Sequence, residues 1–176
     1  KLKRRSPERL EINNRINKIR DYLSEQEKEL IHKSAFVATT VSKATVDKAI
    51  YTQRFDVVIF DEASMAYVPQ VIFAAGIAKS YFVCLGDFCQ LPAIVQNNVD
   101  VRLTKDIFEH TGITSAVENN EGHEWLVMLD LQYRMHQEIA DFVSENMYQG
   151  RLKTFDKIME SRNEIAALSP GRNEAM

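Results

Sequence analysis

Apolar positions at the start of the chain recur with a helical period. Ser6-Pro7-Glu8 has the form of a helix start, with Ser as N-cap, Pro at the first helical position and an acid in the first turn. Ile12, Ile16, Ile19 and Leu23 follow at spacings of four, three and four, which is one apolar stripe on an otherwise polar helix. Ser24 and Glu27 form a capping-box pattern that predicts a restart, and the helix is expected to run to about Lys33. This is a surface helix or one arm of a helical hairpin.

Beyond residue 34 the pattern changes. Segments 35–40 (AFVATT), 56–60 (DVVIF), 81–85 (YFVCL) and 125–129 (WLVML) are short, nearly continuous apolar runs. Runs without alternation predict strands covered on both faces, as in a parallel sheet. Helical stretches separate them: about 68–79, 104–118 with a break at Gly112, and 136–148. Strands alternating with helices predict an α/β domain around a parallel sheet. The tail, 151–176, has weak periodicity and is expected to fray or to lead into a neighbouring segment.

Composition narrows the class without choosing a function. The 176 residues are 45% hydrophobic and 27% charged, the balance of a globular domain with a real core. A net charge of −3 does not announce a nucleic-acid binder, although a local basic groove remains compatible with it. The two cysteines, Cys84 and Cys89, match no zinc spacing and imply a reducing, intracellular (cytoplasmic) setting. No run approaches a membrane span. The sequence starts on Lys inside a charge run, so it is expected to be a piece of a longer protein.

Three motifs at predicted strand ends carry candidate chemistry. In 56-DVVIFDEAS-64 an apolar run stops at two adjacent carboxylates, Asp61 and Glu62. Ligands of open parallel sheets bind beyond the carboxyl ends of strands. There an Asp can hold the Mg²⁺ of a nucleoside triphosphate, and a following Glu can orient a water and take its proton. An acidic pair after a strand also begins turns and caps helices. In 85-LGDFCQLPAI-94, Gln90 offers both a donor and an acceptor to a terminal phosphate and a water, on a loop stiffened by Pro92. A plain polar loop reads the same way. In 130-DLQYRMHQEI-139, Arg134 can grip phosphate oxygens with two donors and Tyr133 can stack on a base. A surface Arg beside a core Tyr is the alternative. His136 is read as a helix-start histidine rather than a metal ligand.

Taken together and in this order, the motifs resemble superfamily 1 helicases, specifically the Upf1-like (DNA2/NAM7-like) group. VIFDEAS is similar to motif II, LGDFCQLPAI to motif III and LQYRMHQEI to the Gln-Tyr-Arg-Met-His signature, and 38-ATTVSKA-44 resembles the segment that touches the nucleic-acid backbone. The resemblance spans roughly residues 35–148. It implies an incomplete parallel sheet of the RecA-like P-loop NTPase type with an N-terminal helical arm. It also implies ATP and Mg²⁺ as cofactors, and single-stranded DNA or RNA as partner, with DNA slightly favoured. By the same resemblance Asp61 would hold Mg²⁺, Glu62 would activate the attacking water, and Gln90 would couple the terminal phosphate to the nucleic acid. Arg134 would stabilise charge on the transferring phosphoryl group and Tyr133 would stack on adenine. Thr39, Thr40 and Ser42 would contact the strand's phosphates.

The chain departs from the family at Pro92-Ala93, where two prolines are common, and at His136-Gln137, where His-Pro is common. The larger departure is that no G-x-x-x-x-G-K-[ST] phosphate loop occurs in it. The expected organisation is a stalk-like helical arm over 1–34, a motor-domain core over 35–150 and a tail or linker over 151–176. The expected function is ATP-driven translocation on single-stranded nucleic acid in the intact protein, with this piece inactive by itself and prone to self-association through apolar surface left uncovered. Two alternatives stand beside it: a non-catalytic nucleic-acid or protein-binding module built on the same fold, and a nucleotide switch that does not translocate.

Overall fold

The computed structural model describes residues 7–95 and 104–156. Ser6 and the tail beyond Asp156 lie outside the described residues. The chain groups into two compact units, Lys1–Asp87 with Pro92–Ile107, and Phe88–Leu91 with Phe108–Met176.

The first unit opens with helix α1, Pro7–Lys33. It passes through Ser24 without a restart, because the residues that follow (Glu25, Gln26, Glu27, Lys28) are strong helix formers that outweigh a local cap. α1 buries none of its side chains, and Ile12, Ile16, Ile19 and Leu23 stand 40–59% exposed. Two short helices follow, α2 (Val41–Val46) and α3 (Lys48–Tyr51). Lys43 joins them to the arm. Its ammonium lies 2.7 Å from Glu27 on α1 and 3.1 Å from Asp47, which caps α3 by accepting from the Ala49 N–H at 2.9 Å. Hydrogen bonds to Glu27 and Asp47 raise the Lys43 pKa, and the Ala49 N–H and then Lys43 lower that of Asp47.

Segment 35–40 is not the expected strand. No ladder partner faces it among the described residues, and without one an apolar run stays an isolated extended chain. The sheet of this unit has two strands, β1 (Phe55–Phe60) and β2 (Ala78–Cys84), paired parallel with Val57 opposite Tyr81 and Phe60 opposite Cys84. Helix α4 (Val68–Gly76) makes the crossover and buries Val71 and Ala74. It ends three residues before the expected Lys79. Ile77 gives its carbonyl to the Phe55 N–H at 3.0 Å, and Ala78 already belongs to β2. The expectation of a sheet covered on both faces is corrected. Phe60 is buried and Val58 half-buried, whereas Val57, Ile59, Tyr81 and Val83 are exposed on the other face.

Helix α5 (Ile107–His110), which lies in the second unit from Phe108 onward, and α6 (Ile113–Glu118) are separated at Gly112. Its φ of +79° is a left-handed conformation that a side chain would strain. Helix α7 (Gln137–Met147) is capped by His136, whose Nδ1 accepts from the Glu138 N–H at 3.3 Å. The expected strand at 125–129 is absent, and Val127 and Leu129 stand exposed without ladder partners among the described residues. The sheet is instead a minimal parallel pair just downstream, β3 (Leu131–Gln132) with β4 (Lys153–Thr154). The buried Ser144 hydroxyl donates to the Leu152 carbonyl at 2.9 Å and holds α7 to the entrance of β4.

Candidate nucleotide and nucleic-acid site

In the first unit the carboxylate pair sits where β1 ends. The ladder continues past both of them through one residue. The Leu85 N–H donates to the Phe60 carbonyl at 2.8 Å, and the Leu85 carbonyl accepts from the Ala63 N–H at 2.8 Å. Asp61 and Glu62 are thus a two-residue excursion with each flank fixed to the same point on the neighbouring strand. The excursion closes only because Glu62 adopts φ 54°, ψ 43°, the left-handed region. That costs a non-glycine residue on the order of 1–2 kcal/mol. Glycine would relieve the strain but bring no carboxylate. A single 3-10 turn, Ala63–Met65, follows and is closed by Met65 N–H to the Glu62 carbonyl at 3.0 Å.

Both side chains are exposed. Asp61 Oδ1 accepts from the Glu62 N–H at 3.0 Å, which orients the carboxylate across its own turn. Its other oxygen and the Glu62 carboxylate make no hydrogen bond among the described residues. A hard oxygen donor at a strand end suits Mg²⁺, which keeps most of its water and needs few protein ligands. Behind them the Ser64 hydroxyl is buried with no hydrogen-bond partner among the described residues. Such an orphan donor costs about 1–3 kcal/mol.

Thr39, Thr40 and Ser42 belong to the same unit and are exposed. Thr40 is the N-cap of α2, its Oγ1 accepting from the Lys43 N–H at 3.2 Å. An open groove of about 1590 Å³ is bordered by Thr39, Thr40, Ile59 and Asp61, so the hydroxyl-bearing segment and one carboxylate share its walls.

In the second unit Gln90 is exposed in the turn over residues 88–90. Its neighbours anchor that turn. The Phe88 ring lies 5.9 Å from that of Phe108, and the Cys89 thiol donates to the Met147 carbonyl at 3.4 Å. Tyr133 and Arg134 occupy the turn between β3 and α7, and both are exposed. One face of the Tyr133 ring is backed by Phe155, with centroids 4.9 Å apart, yet Tyr133 keeps 55% of its surface. The Arg134 guanidinium makes no ion pair among the described residues.

The turn is held from inside by Gln132. Its Oε1 accepts from the N–H groups of Arg134 (2.8 Å) and Met135 (2.7 Å). Its Nε2 donates to the Met135 carbonyl (3.0 Å) and to Thr154 Oγ1 (2.8 Å). Gln132, Thr154, Phe155, Leu85 and Ser64 escape sequence reasoning. Gln132 stands inside a motif that draws attention to its neighbours, and Phe155 is brought beneath Tyr133 by a two-residue strand that no periodicity announces.

The two units thus divide the candidate residues. Asp61, Glu62, Thr39, Thr40 and Ser42 lie in one, and Gln90, Tyr133 and Arg134 in the other. Comparison with known proteins gives the chain a family. Two models, each described as an AAA domain, match residues 1–98 and 108–175, the first covering more than half of the chain. The chain belongs to the Upf1-like group of superfamily 1 helicases. Among its relatives, the Regulator of nonsense transcripts 1 homolog of Arabidopsis thaliana is 27% identical over 74% of this chain and 10% of its own length. The DNA polymerase alpha-associated DNA helicase A of Saccharomyces cerevisiae is 30% identical over 79% of this chain and 22% of its own. The DNA replication ATP-dependent helicase/nuclease dna2 of Schizosaccharomyces pombe is 34% identical over 74% of this chain and 9% of its own. The chain therefore spans less than a quarter of each of these relatives. Among the described residues no helix is long and apolar enough to cross a membrane.

Proposed function

We propose that this chain is part of an intracellular helicase motor that couples ATP hydrolysis to movement along single-stranded nucleic acid. The observation that carries the reading is the pinned excursion at the end of β1, where two carboxylates are held side by side, one of them at the expense of a strained backbone. Strain of this kind persists where surrounding structure enforces it, and it concentrates at functional sites.

In the mechanism Asp61 would hold Mg²⁺, which would supply charge neutralisation on the triphosphate. Glu62 orients the attacking water and takes its proton. Tyr133 presents its open face to the adenine ring while Phe155 backs the other. Arg134 donates two parallel hydrogen bonds to the transferring phosphoryl group, where charge develops. Gln90 contacts the terminal phosphate and relays its presence toward the nucleic acid. Thr39, Thr40 and Ser42 bind backbone phosphates through hydroxyls, which fix position without reading sequence. With no G-x-x-x-x-G-K-[ST] stretch in its 176 residues, the chain taken alone is expected to turn over ATP negligibly. The domain plan that goes with this reading is an arm over 1–34, a motor core over 35–150 and a tail beyond.

The test uses a longer polypeptide of the same protein that includes a phosphate loop. ATP hydrolysis should rise at least about ten-fold on adding single-stranded DNA or RNA, and Asp61→Asn should remove the Mg²⁺-dependent rate. Hydrolysis indifferent to nucleic acid would instead support a nucleotide switch, and nucleic-acid binding without hydrolysis a non-catalytic module.

A further inference from the structure

Gln132 spends all of its hydrogen-bonding capacity on one turn and the strand beside it. A primary amide has two acceptor lone pairs and two donor hydrogens. Here the two acceptor sites take the N–H groups of Arg134 and Met135, and the two donors reach the Met135 carbonyl and Thr154 Oγ1. The orientation of the amide is forced, because exchanging its ends would set NH₂ against two N–H groups and oxygen against a carbonyl. Three of the four bonds close a loop around Tyr133 and Arg134. The fourth ties that loop to β4, where Phe155 follows Thr154 and donates its N–H to the Gln132 carbonyl at 3.1 Å.

We infer that Gln132 is the positioning residue of the nucleotide site, setting the aim of Tyr133 and Arg134 from behind and keeping Phe155 under the Tyr133 ring. The inference rests on the reading of Tyr133 and Arg134 as nucleotide contacts. No other side chain of this size serves. A Glu at 132 keeps the two N–H acceptors but sets a carboxylate oxygen against the Met135 carbonyl. An Asn is one methylene too short to reach the same four groups.

The test joins amide exchange in the 176-residue chain to kinetics of the longer polypeptide. In the chain, Gln132→Glu should speed exchange of the Arg134 and Met135 amides about ten-fold and leave the Ile50 amide of the other unit unchanged. In the longer polypeptide, Gln132→Glu should raise KM for Mg-ATP about ten-fold and also lower kcat. A merely destabilised unit would lose active fraction, and so kcat, with KM unmoved. Thr154→Val, which removes one bond of the four, should shift KM in the same direction by about three-fold, and Thr154→Ser should restore it. If Tyr133→Ala raises KM while Gln132→Glu and Thr154→Val leave it within two-fold, the positioning role is overturned and the nucleotide site stands. If Tyr133→Ala and Arg134→Ala change neither KM nor kcat, the nucleotide reading falls and the role of Gln132 with it.

Discussion

The two turns that present the candidate chemistry solve one mechanical problem in opposite ways. The Asp61–Glu62 turn is pinned at both flanks by backbone, with Leu85 fixing each and Glu62 absorbing the mismatch as a left-handed residue. The Tyr133–Arg134 turn has ordinary backbone and is held by one side chain, Gln132. A backbone clamp tolerates many side chains at its anchor and few backbone changes. A side-chain clamp does the reverse. This difference teaches where each site is fragile.

The largest expected effect comes from Leu85→Pro. It removes the N–H that meets Phe60 and should destabilise the first unit by about 3 kcal/mol or more, whereas Leu85→Ala, at a position 41% exposed, should cost less than about 1 kcal/mol. Equal losses in urea melts of the two variants would break the distinction.

Next is Gln132→Ala, which strips partners from Arg134 N–H, Met135 N–H and the Met135 carbonyl. It should cost the second unit about 2 kcal/mol by amide exchange, with the first unit unaffected. Glu62→Gly goes the other way. It relieves the left-handed strain and should stabilise the first unit by about 1 kcal/mol while removing the carboxylate. No gain in stability would mean that the turn is not strained.

The smallest effect is a pH control that should touch neither turn. The folded pKa of Asp47 is lowered, so its contribution is complete above the ordinary 3.8 and is lost as pH falls through the lower folded value. That of Lys43 is raised, so its contribution is present below 10.5 and is lost as pH rises through the higher folded value. Between those limits exchange of the Ala49 amide should be flat once its intrinsic pH dependence is removed.

Features set by local chemistry were legible in the sequence. The break at Gly112, the cap at His136 and the strands around 56–60 and 81–85 follow from residues within a few positions of each other, whereas the Ser6 cap expected before α1 lies outside the described residues. Segments 35–40 and 125–129 were misread because an apolar run becomes a strand only when another backbone pairs with it. The left-handed Glu62 was hidden because that conformation ordinarily signals glycine. Gln132 was hidden because a side chain bonding the backbone two and three residues onward leaves no spacing to detect. The candidate residues stand out in the sequence as motifs, whereas the groups that hold their turns, Leu85, Gln132 and Phe155, do not.

The measurement closest to the central claim is ATP hydrolysis by the longer polypeptide carrying Glu62→Gln, with single-stranded nucleic acid present. The backbone clamp and its strain survive this substitution, so stability should stay within about 0.5 kcal/mol. Removing the proton acceptor should lower kcat by at least about 100-fold with KM little changed. Undiminished hydrolysis in that variant would contradict the account.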